Sequence, residues 1–241
     1  PPDPRKARVL ELGCAAGANL LPMGIEMPQA EFLGLDLSTG QIEAGEAIRR
    51  EAEIANVTLR QADILDCGTL EGRFDYIIAH GVYSWVPPAV AERVLEICRE
   101  HLAPNGIAYV SYNVYPGWHF RGVLRGMMMY HAAGFADPKL RIQQGKALVD
   151  FLAARSPQGF FADTLKAGAD LMRDGEDNYL YHEYLETENH PAYFHEFAER
   201  ARAKGLAYLG GTQLPGVATK TLPADTVQAL QRAAGGDALR M

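Results

Sequence analysis

A loop of small residues and two aspartates in the N-terminal part of the chain are the residue types that bind a nucleoside. Residues 11–17 (ELGCAAG) let the backbone turn tightly and approach a ligand, ahead of a predicted helix with free N–H groups. Asp36 follows about 20 residues after this loop, where a carboxylate can accept both ribose hydroxyls of an adenosine. Asp63 can accept the adenine amino group. The pattern therefore predicts a nucleoside-containing cofactor.

Each of these features also has a purely structural explanation. Asp36 could form a turn or cap the next helix, and Asp63 could be a turn residue of its loop. The residues alone fit NAD as well as S-adenosylmethionine, although Gly13 and Gly17 do not match the GxGxxG spacing that is typical of NAD-binding proteins.

Alternating apolar runs and helical patterns predict the elements that position these residues. Buried parallel strands are expected at residues 8–12, 31–36, 57–60, 74–79 and 107–113. Helices are expected at residues 19–27, 38–55 and 88–102, with Ser38 as an N-cap and a turn at residues 104–106. This order predicts an α/β fold, a Rossmann-like doubly wound and mostly parallel sheet, in which ligands bind at the carboxyl ends of the strands.

The pattern changes after Pro116. No strand pattern is clear in the following residues, and helix faces are interrupted at residues 137–138, 156–159 and 174–175, so we expect an α-helical insertion after the fifth strand. A helix at 191–204 ending at Gly205, a strand at 206–209 returning to the sheet and a helix at 226–234 complete the chain. The expected domains are a cofactor-binding core (1–115), the helical insertion (116–190), and the return to the core with a C-terminal tail (191–241).

Four segments in order, ELGCAAG, GLDLS, QADI and FDYIIAHGVYSWVP, resemble the successive motifs of class I S-adenosylmethionine-dependent methyltransferases. One departure is Ala15, where that family commonly has glycine. The resemblance implies that S-adenosylmethionine is the cofactor. It also implies that the residues binding it are Glu11, Gly13, Cys14, Ala15, Gly17, Asn19, Asp36, Leu37, Ala62, Asp63, Ile64 and His80.

The segments HGVYSWVP, SYNVYPGWHFRG, MMMYH and YLYHEYLETENHPAYFHEFAERARAKGLAYLG are similar to bacterial methyltransferases with a methyltransferase regulatory domain. That group includes outer-membrane-protein lysine methyltransferases, which are larger, so this chain is expected to be a fragment or a short member. The resemblance implies a protein lysine as the methyl acceptor and the insertion as the regulatory domain, which shapes the substrate cleft or mediates contacts in a homodimer. Alternatives are a small-molecule O- or N-methyltransferase and a non-catalytic cofactor-binding or dimerisation module.

Class I enzymes place residues facing the methyl acceptor after the fourth and fifth strands. A base or a desolvating pocket helps a lysine to lose its proton, and the side chains here that could act as the base are His80, Tyr83 and His119. Aromatic faces stabilise cationic groups, and the predicted substrate-side residues are Trp85, Tyr112, Asn113, Tyr115 and Trp118. The alternative role of each aromatic residue is packing of the insertion.

The composition of the chain argues against several other classes of protein. The net charge of −7 argues against nucleic acid as the main partner and would suit a cationic substrate. No apolar run approaches the roughly 20 residues that span a bilayer, so no membrane insertion is expected. Cys14, Cys67 and Cys98 suggest neither disulfides nor zinc, no histidine spacing matches a metal-ligand motif, and cytoplasm is the default compartment. Because the chain starts at Pro1 without methionine, we expect an upstream segment.

Overall fold

The computed structural model of the protein describes residues 1–66, 70–211 and 222–235. The chain divides into two compact units. The first comprises Pro1–Tyr83, Pro87–Tyr112 and Ala192–Met241, and the second comprises Ser84–Val86 and Asn113–Pro191. Cys67 lies outside the described residues.

A five-stranded parallel sheet forms the centre of the first unit, in the order β3-β2-β1-β4-β5. After a short 3-10 helix (Pro4–Lys6), its strands are β1 (Arg8–Leu12), β2 (Glu31–Asp36), β3 (Val57–Gln61), β4 (Phe74–Ala79) and β5 (Leu102–Val110). The connecting helices are α1 (Leu20–Glu26), α2 (Thr39–Glu51) and α3 (Pro88–His101). The predicted α/β class and parallel order are confirmed. The strand order reverses between β1 and β4, which is where such sheets bind ligands.

Buried apolar side chains explain why the first four strands match the sequence pattern closely. Leu10, Leu12, Leu35 and Ile77 are fully buried, as expected for strands covered on both faces. Ser38 caps α2 as predicted, since its hydroxyl accepts the Gln41 N–H at 3.4 Å.

Three predicted boundaries were wrong. Helix α2 ends at Glu51 rather than at residue 55, because Glu53 adopts the left-handed conformation (φ 52°), which a right-handed helix cannot include. Strand β5 starts earlier than predicted and ends at Val110 instead of residue 113. The predicted turn at 104–106 lies within this strand, where the register is irregular: Phe74 pairs with Leu102, but Tyr76 pairs with Ile107.

The second unit consists mainly of four helices, which confirms the expected helical insertion after the fifth strand. A short strand, β6 (Val114–Tyr115), precedes α4 (Gly117–Ala132), α5 (Pro138–Arg155), α6 (Phe160–Asp174) and α7 (Asp177–Leu185). The interruptions predicted at 137–138, 156–159 and 174–175 fall between these helices. Asp137 caps α5 by accepting the Leu140 N–H at 2.9 Å. Leu124, Met128, Leu165 and Tyr184 belong to the core of this unit.

The chain then returns to the first unit through β7 (Ala192–Tyr193) and α8 (Phe194–Ala203), and α9 (Ala224–Ala234) follows. Gly205 has a φ of 79° just after α8, as a helix-ending glycine requires. The predicted strand at 206–209 was wrong. Tyr208 and Leu209 are 50% and 73% exposed, so this segment lacks the burial that would make it a strand of the sheet. No helix within residues 1–66, 70–211 and 222–235 is long and apolar enough to cross a membrane.

Candidate functional site

The loop after β1 has a positive φ at every second residue. Gly13, Ala15 and Gly17 have φ values of 74°, 47° and 74°. A Cβ on Gly13 would lie 2.4 Å from Cγ2 of Val82, so this position has room only for glycine. Internal hydrogen bonds hold this turn, because Gly13 and Cys14 donate their N–H groups to the carbonyl of Leu35 at 2.7 and 3.0 Å. The tight turn and its small side chains allow a ligand to approach the backbone closely.

Asp36 at the end of β2 holds this loop. Its Oδ2 accepts the N–H of Ala15 at 2.8 Å, and its Oδ1 accepts the N–H of Ser38 at 2.9 Å. A carboxylate has about four lone-pair sites, so both oxygens can accept further hydrogen bonds. The side chain is half-buried, and the adjacent Leu37 is 65% exposed. Asp36 can therefore shape the loop and still bind a diol.

Hydrogen bonds connect the end of β3 to the residues that end β2. The Ala62 N–H donates to the carbonyl of Asp36 at 2.9 Å, and the Gln61 amide donates to the carbonyl of Leu37 at 3.3 Å. Asp63 is exposed and accepts the N–H of Leu65 at 2.9 Å, while Ile64 is half-buried. The structure thus brings together the predicted residues that follow β1, β2 and β3.

Glu11 is the most unusual polar group of this region. It is 4% exposed, its Oε1 accepts the Asn19 amide at 3.0 Å, and its Oε2 is buried without a partner among the described residues. Burial raises the pKa of Glu11, and the Asn19 hydrogen bond and the charge of His80 oppose that shift. Nearby Cys14 is also buried, and desolvation, together with the charges of Asp36 and Glu11, raises its pKa to about 12. Cys14 is therefore a packed thiol.

His80 follows β4. Its ring contacts two residues, Ser111 and Tyr109, that the sequence analysis did not predict as part of the site. Its Nδ1 is 3.0 Å from the hydroxyl of Ser111 and 3.4 Å from that of Tyr109, and Ser111 also accepts the N–H of Gly81 at 2.8 Å. His80 is exposed. Ser111 directly follows β5, and the parallel pairing of β4 and β5 is what places it beside His80.

The other two candidate residues of the first unit, Tyr83 and Tyr112, lie in an aromatic cluster. Tyr83 is 2% exposed, with ring centroids 5.2 Å from Phe197 and 6.1 Å from Tyr112. Burial raises the pKa of Tyr83, although the adjacent Arg200 partly offsets this shift. Burial also raises the pKa of Tyr112 to about 12. Both phenols are therefore protonated at neutral pH.

The remaining candidates belong to the second unit. Trp85 packs edge-on against Trp118, with a centroid distance of 5.8 Å. Tyr115 and His119 stack at 4.1 Å. The amide of Asn113 donates to that of Asn189 at 3.0 Å, and its backbone N–H donates to the hydroxyl of Ser84 at 2.9 Å. These contacts fix the side chains within the helical unit. Across the parts of the chain with described positions, no group of three or more His, Cys, Asp or Glu residues could hold a metal ion.

Comparison with known proteins agrees with this geometry. The methyltransferase domain family matches residues 9–106, and the predicted methyltransferase regulatory domain matches residues 176–240. The structure of PKMT2 from Rickettsia typhi in complex with AdoHcy has a TM-score of 0.87 and 40% identity, covering 97% of this chain and 45% of that chain. The uncharacterized protein RP028 of Rickettsia prowazekii is 41% identical over 87% of this chain and 84% of its own length. RP789 of the same organism is 38% identical over 95% of this chain and 42% of its own length.

This chain belongs to the class I S-adenosylmethionine-dependent methyltransferases. One of its relatives is RP028. The chain combines a match to the methyltransferase domain with a match to the predicted methyltransferase regulatory domain. The expected family and its cofactor, S-adenosylmethionine, are confirmed. The chain spans less than half the length of RP789 and PKMT2. Because the regulatory-domain match begins at residue 176, identification of the whole insertion with that domain stays a prediction, as do the domain boundaries.

Proposed function

We propose that this chain binds S-adenosylmethionine at the carboxyl ends of β1 to β4 and supports transfer of its methyl group to a lysine side chain of a protein. In this proposal Asp36 accepts the ribose hydroxyls, Asp63 accepts the adenine amino group, and the loop of residues 13–17 lies against the cofactor. The remaining cofactor contacts are those predicted from the sequence, including Leu37, Ala62 and Ile64.

The observation that carries the proposal is that Oε2 of Glu11 is buried and has no hydrogen-bond partner among the described residues. A carboxylate at this depth is unfavourable unless it is paired, and a cationic ligand would pair it. S-adenosylmethionine carries an ammonium and a sulfonium, whereas NAD carries a diphosphate. A negative charge at the end of β1 favours the first ligand and repels the second, so the residues present fit S-adenosylmethionine.

The chemistry requires an unprotonated acceptor nitrogen. When bound, S-adenosylmethionine supplies a methyl carbon that is already activated by the adjacent sulfonium. The protein has to align the acceptor, exclude water and receive a proton. Of the predicted bases in the first unit, exposed His80 suits the last role better than buried Tyr83, whose raised pKa keeps it protonated. Contacts of Ser111 and Tyr109 with Nδ1 leave Nε2 of His80 as the atom to take the proton.

A protein lysine is the proposed acceptor because of the resemblance to outer-membrane-protein lysine methyltransferases and because the chain is acidic. The net charge of −7 favours encounter with a basic polypeptide over encounter with an anionic small molecule. His119 and the aromatic residues of the second unit remain candidates for contact with that acceptor.

Two measurements test the proposal. Calorimetric titration with S-adenosylmethionine, S-adenosylhomocysteine and NAD should show binding of the first two only; binding of NAD alone would contradict the cofactor site. Release of S-adenosylhomocysteine is then followed with a lysine-rich protein and with the same protein after its lysines have been acetylated. Turnover with the first and not the second is expected, and equal turnover would rule out lysine as the acceptor.

A further inference from the structure

Backbone pairing continues past the ends of β4 and β5 and places two side chains next to each other. Ala79 pairs with Val110, and Ser111 then donates its N–H to the carbonyl of Ala79 at 3.0 Å. His80 and Ser111 are the next residues on the two strands. Neighbouring positions of paired strands direct their side chains to the same face of a sheet, so the ring of His80 and the hydroxyl of Ser111 meet there.

The hydroxyl of the half-buried Ser111 contacts two nitrogen atoms. Its Oγ accepts the N–H of Gly81 at 2.8 Å and lies 3.0 Å from Nδ1 of His80. A serine hydroxyl has two lone pairs and one O–H, so it can accept from a protonated Nδ1 or donate to an unprotonated one. The first arrangement leaves Nε2 of the neutral ring without a proton, whereas the second puts the proton on Nε2. The hydrogen bond to Ser111 therefore decides which nitrogen of His80 is basic.

Tyr109 limits the orientation of the same ring. Its hydroxyl is 3.4 Å from Nδ1 of His80, and the two rings are tilted by 40° with a centroid distance of 5.7 Å. A half-turn of the imidazole would replace Nδ1 by a carbon atom and lose the contacts with both hydroxyls. The ring is therefore held with Nδ1 towards Tyr109 and Ser111, and Nε2 is the nitrogen left for the methyl acceptor.

Proton transfer in the proposed reaction requires the first arrangement. The acceptor ammonium gives a proton to the base, and the electron pair of the broken N–H bond stays on the nitrogen that takes the methyl group. Nε2 of His80 can form the new N–H bond only if it is unprotonated beforehand, so Nδ1 must carry the ring proton. After the transfer the imidazolium carries both protons, and its positive charge strengthens the hydrogen bond from Nδ1 to Ser111. The ring later releases the proton to water.

We propose that Ser111 is a positioning residue for His80. Its hydroxyl oxygen accepts the Nδ1 proton and holds the neutral ring in the form with an unprotonated Nε2. The side chain of free histidine in water prefers the opposite form, with the proton on Nε2. Without Ser111 the ring would therefore carry its proton on the atom that has to receive one. The inference rests on the proposed function, because it takes His80 as the base.

Nitrogen NMR of the histidine rings tests this proposal without acceptor or cofactor. The whole 241-residue chain, isotope-labelled at the ring nitrogens of its seven histidines, is titrated until the His80 signals stop changing as the pH is raised. His80→Gln identifies these signals by their loss. Protonated and unprotonated ring nitrogens differ widely in chemical shift, so the spectrum gives the fraction of each form. We expect mainly the Nδ1–H form in the wild-type chain and mainly the Nε2–H form in Ser111→Ala.

Three further variants make the assignment specific. Ser111→Thr keeps the hydroxyl and should keep the Nδ1–H form. Tyr109→Phe should change the ratio of the two forms less than Ser111→Ala does, because its contact with Nδ1 is the longer one. Ser156→Ala, which removes the hydroxyl of the residue after α5, should change nothing. The Nε2–H form in the wild-type chain, an unchanged ratio in Ser111→Ala, or a larger effect of Tyr109→Phe would overturn the proposal.

Rates of methyl transfer are the second readout. With a lysine-rich protein and saturating S-adenosylmethionine, Ser111→Ala should lower kcat about five- to tenfold with little change in KM for the acceptor. Ser111→Thr should restore at least about half of the wild-type kcat, and Ser156→Ala should keep all of it. Equal losses in Ser111→Ala and Ser111→Thr would overturn a role that depends on the hydroxyl.

The two proposals can fail separately. If the wild-type chain does not methylate the lysine-rich protein, lysine transfer is contradicted, while the NMR spectra still decide whether Ser111 sets the protonation of His80. If Ser111→Ala reverses the ring form and kcat stays unchanged, methyl transfer is supported and the positioning role of Ser111 in the reaction is overturned.

Discussion

The carboxylate of Asp36 accepts the backbone N–H of Ala15 at 2.8 Å and so connects the end of β2 to the loop that follows β1. Ala15 has a φ of 47°, a left-handed conformation that costs a non-glycine residue roughly 1–2 kcal/mol. The proposed ribose-binding side chain therefore also holds a strained residue of the loop in place.

Replacing Asp36 should affect both roles. Asp36→Ala removes the acceptor for the ribose hydroxyls and releases Ala15, so we expect affinity for S-adenosylhomocysteine to fall by about tenfold or more. Calorimetric titration measures the change, with Asp66→Ala, an exposed aspartate after β3, as the control. Unchanged affinity for Asp36→Ala would mean that the ribose lies elsewhere.

Strain in the loop can be tested with two neighbouring alanines. Ala15→Gly removes the crowding of Cβ and should raise the free energy of unfolding by about 0.5–1 kcal/mol, despite the greater freedom of glycine in the unfolded chain. Ala16 does not have a positive φ, so Ala16→Gly should lower the free energy by about 0.4–1 kcal/mol. Urea unfolding of both variants measures the difference, and effects of the same sign would contradict the strain.

The buried carboxylate of Glu11, whose Oε2 has no partner among the described residues, should make the chain less stable while it strengthens cofactor binding. Burial raises its folded-state pKa above the ordinary value of 4.5, so its stabilising contribution is complete below pH 4.5 and is lost as pH rises through the raised pKa. Glu11→Gln should therefore be more stable than the wild-type chain at neutral pH and nearly equal to it below pH 4.5.

Urea unfolding at the two pH values checks this prediction, with Glu43→Gln, an exposed residue of α2, as the control. The same Glu11→Gln variant should bind S-adenosylmethionine on the order of tenfold more weakly, because a charge-assisted contact is lost. If Glu11→Gln is less stable at neutral pH or keeps full affinity, the carboxylate is not the cation-binding group.

Two glycines of α2 give a matched test of how the helix supports the loop. A Cβ on Gly45 would lie 2.5 Å from the backbone oxygen of Ala16, whereas a Cβ on Gly40 would meet nothing within 4 Å. Gly45→Ala should displace the loop, destabilise the chain by about 1–3 kcal/mol and weaken cofactor binding.

Gly40→Ala should instead stabilise the chain by up to about 1 kcal/mol through helix propensity and leave affinity unchanged. Thermal unfolding and calorimetric titration of both variants provide the comparison. Wild-type affinity in a folded Gly45→Ala variant would show that the close contact with Ala16 does not shape the site.

The assignment of the base can be tested by comparing His80 with Tyr83. With a methyl acceptor and saturating S-adenosylmethionine, His80→Gln should lower the rate of methyl transfer by about a hundredfold or more. Tyr83→Phe should keep most of the rate, because the raised pKa leaves that phenol protonated at neutral pH. The reverse pattern in single-turnover rates would make Tyr83 the base.

The local sequence determined the parallel strands, the helical insertion and the positions of Gly13, Gly17 and Asp36. These features follow from short-range patterns: apolar runs, glycines that need a positive φ, and a carboxylate at the end of a strand. Residues 206–209 have an apolar pattern too, but they are not a strand, because strand formation also needs a neighbouring strand and burial.

Tertiary structure alone decided which side chains complete the site. Ser111 lies beside His80 because β5 pairs with β4, and Gly45 reaches Ala16 because α2 packs against the loop after β1. The burial of the Glu11 carboxylate also depends on what surrounds it in space. No local sequence pattern could predict these contacts. Each depends on residues from separate elements, which become neighbours only when those elements pack together.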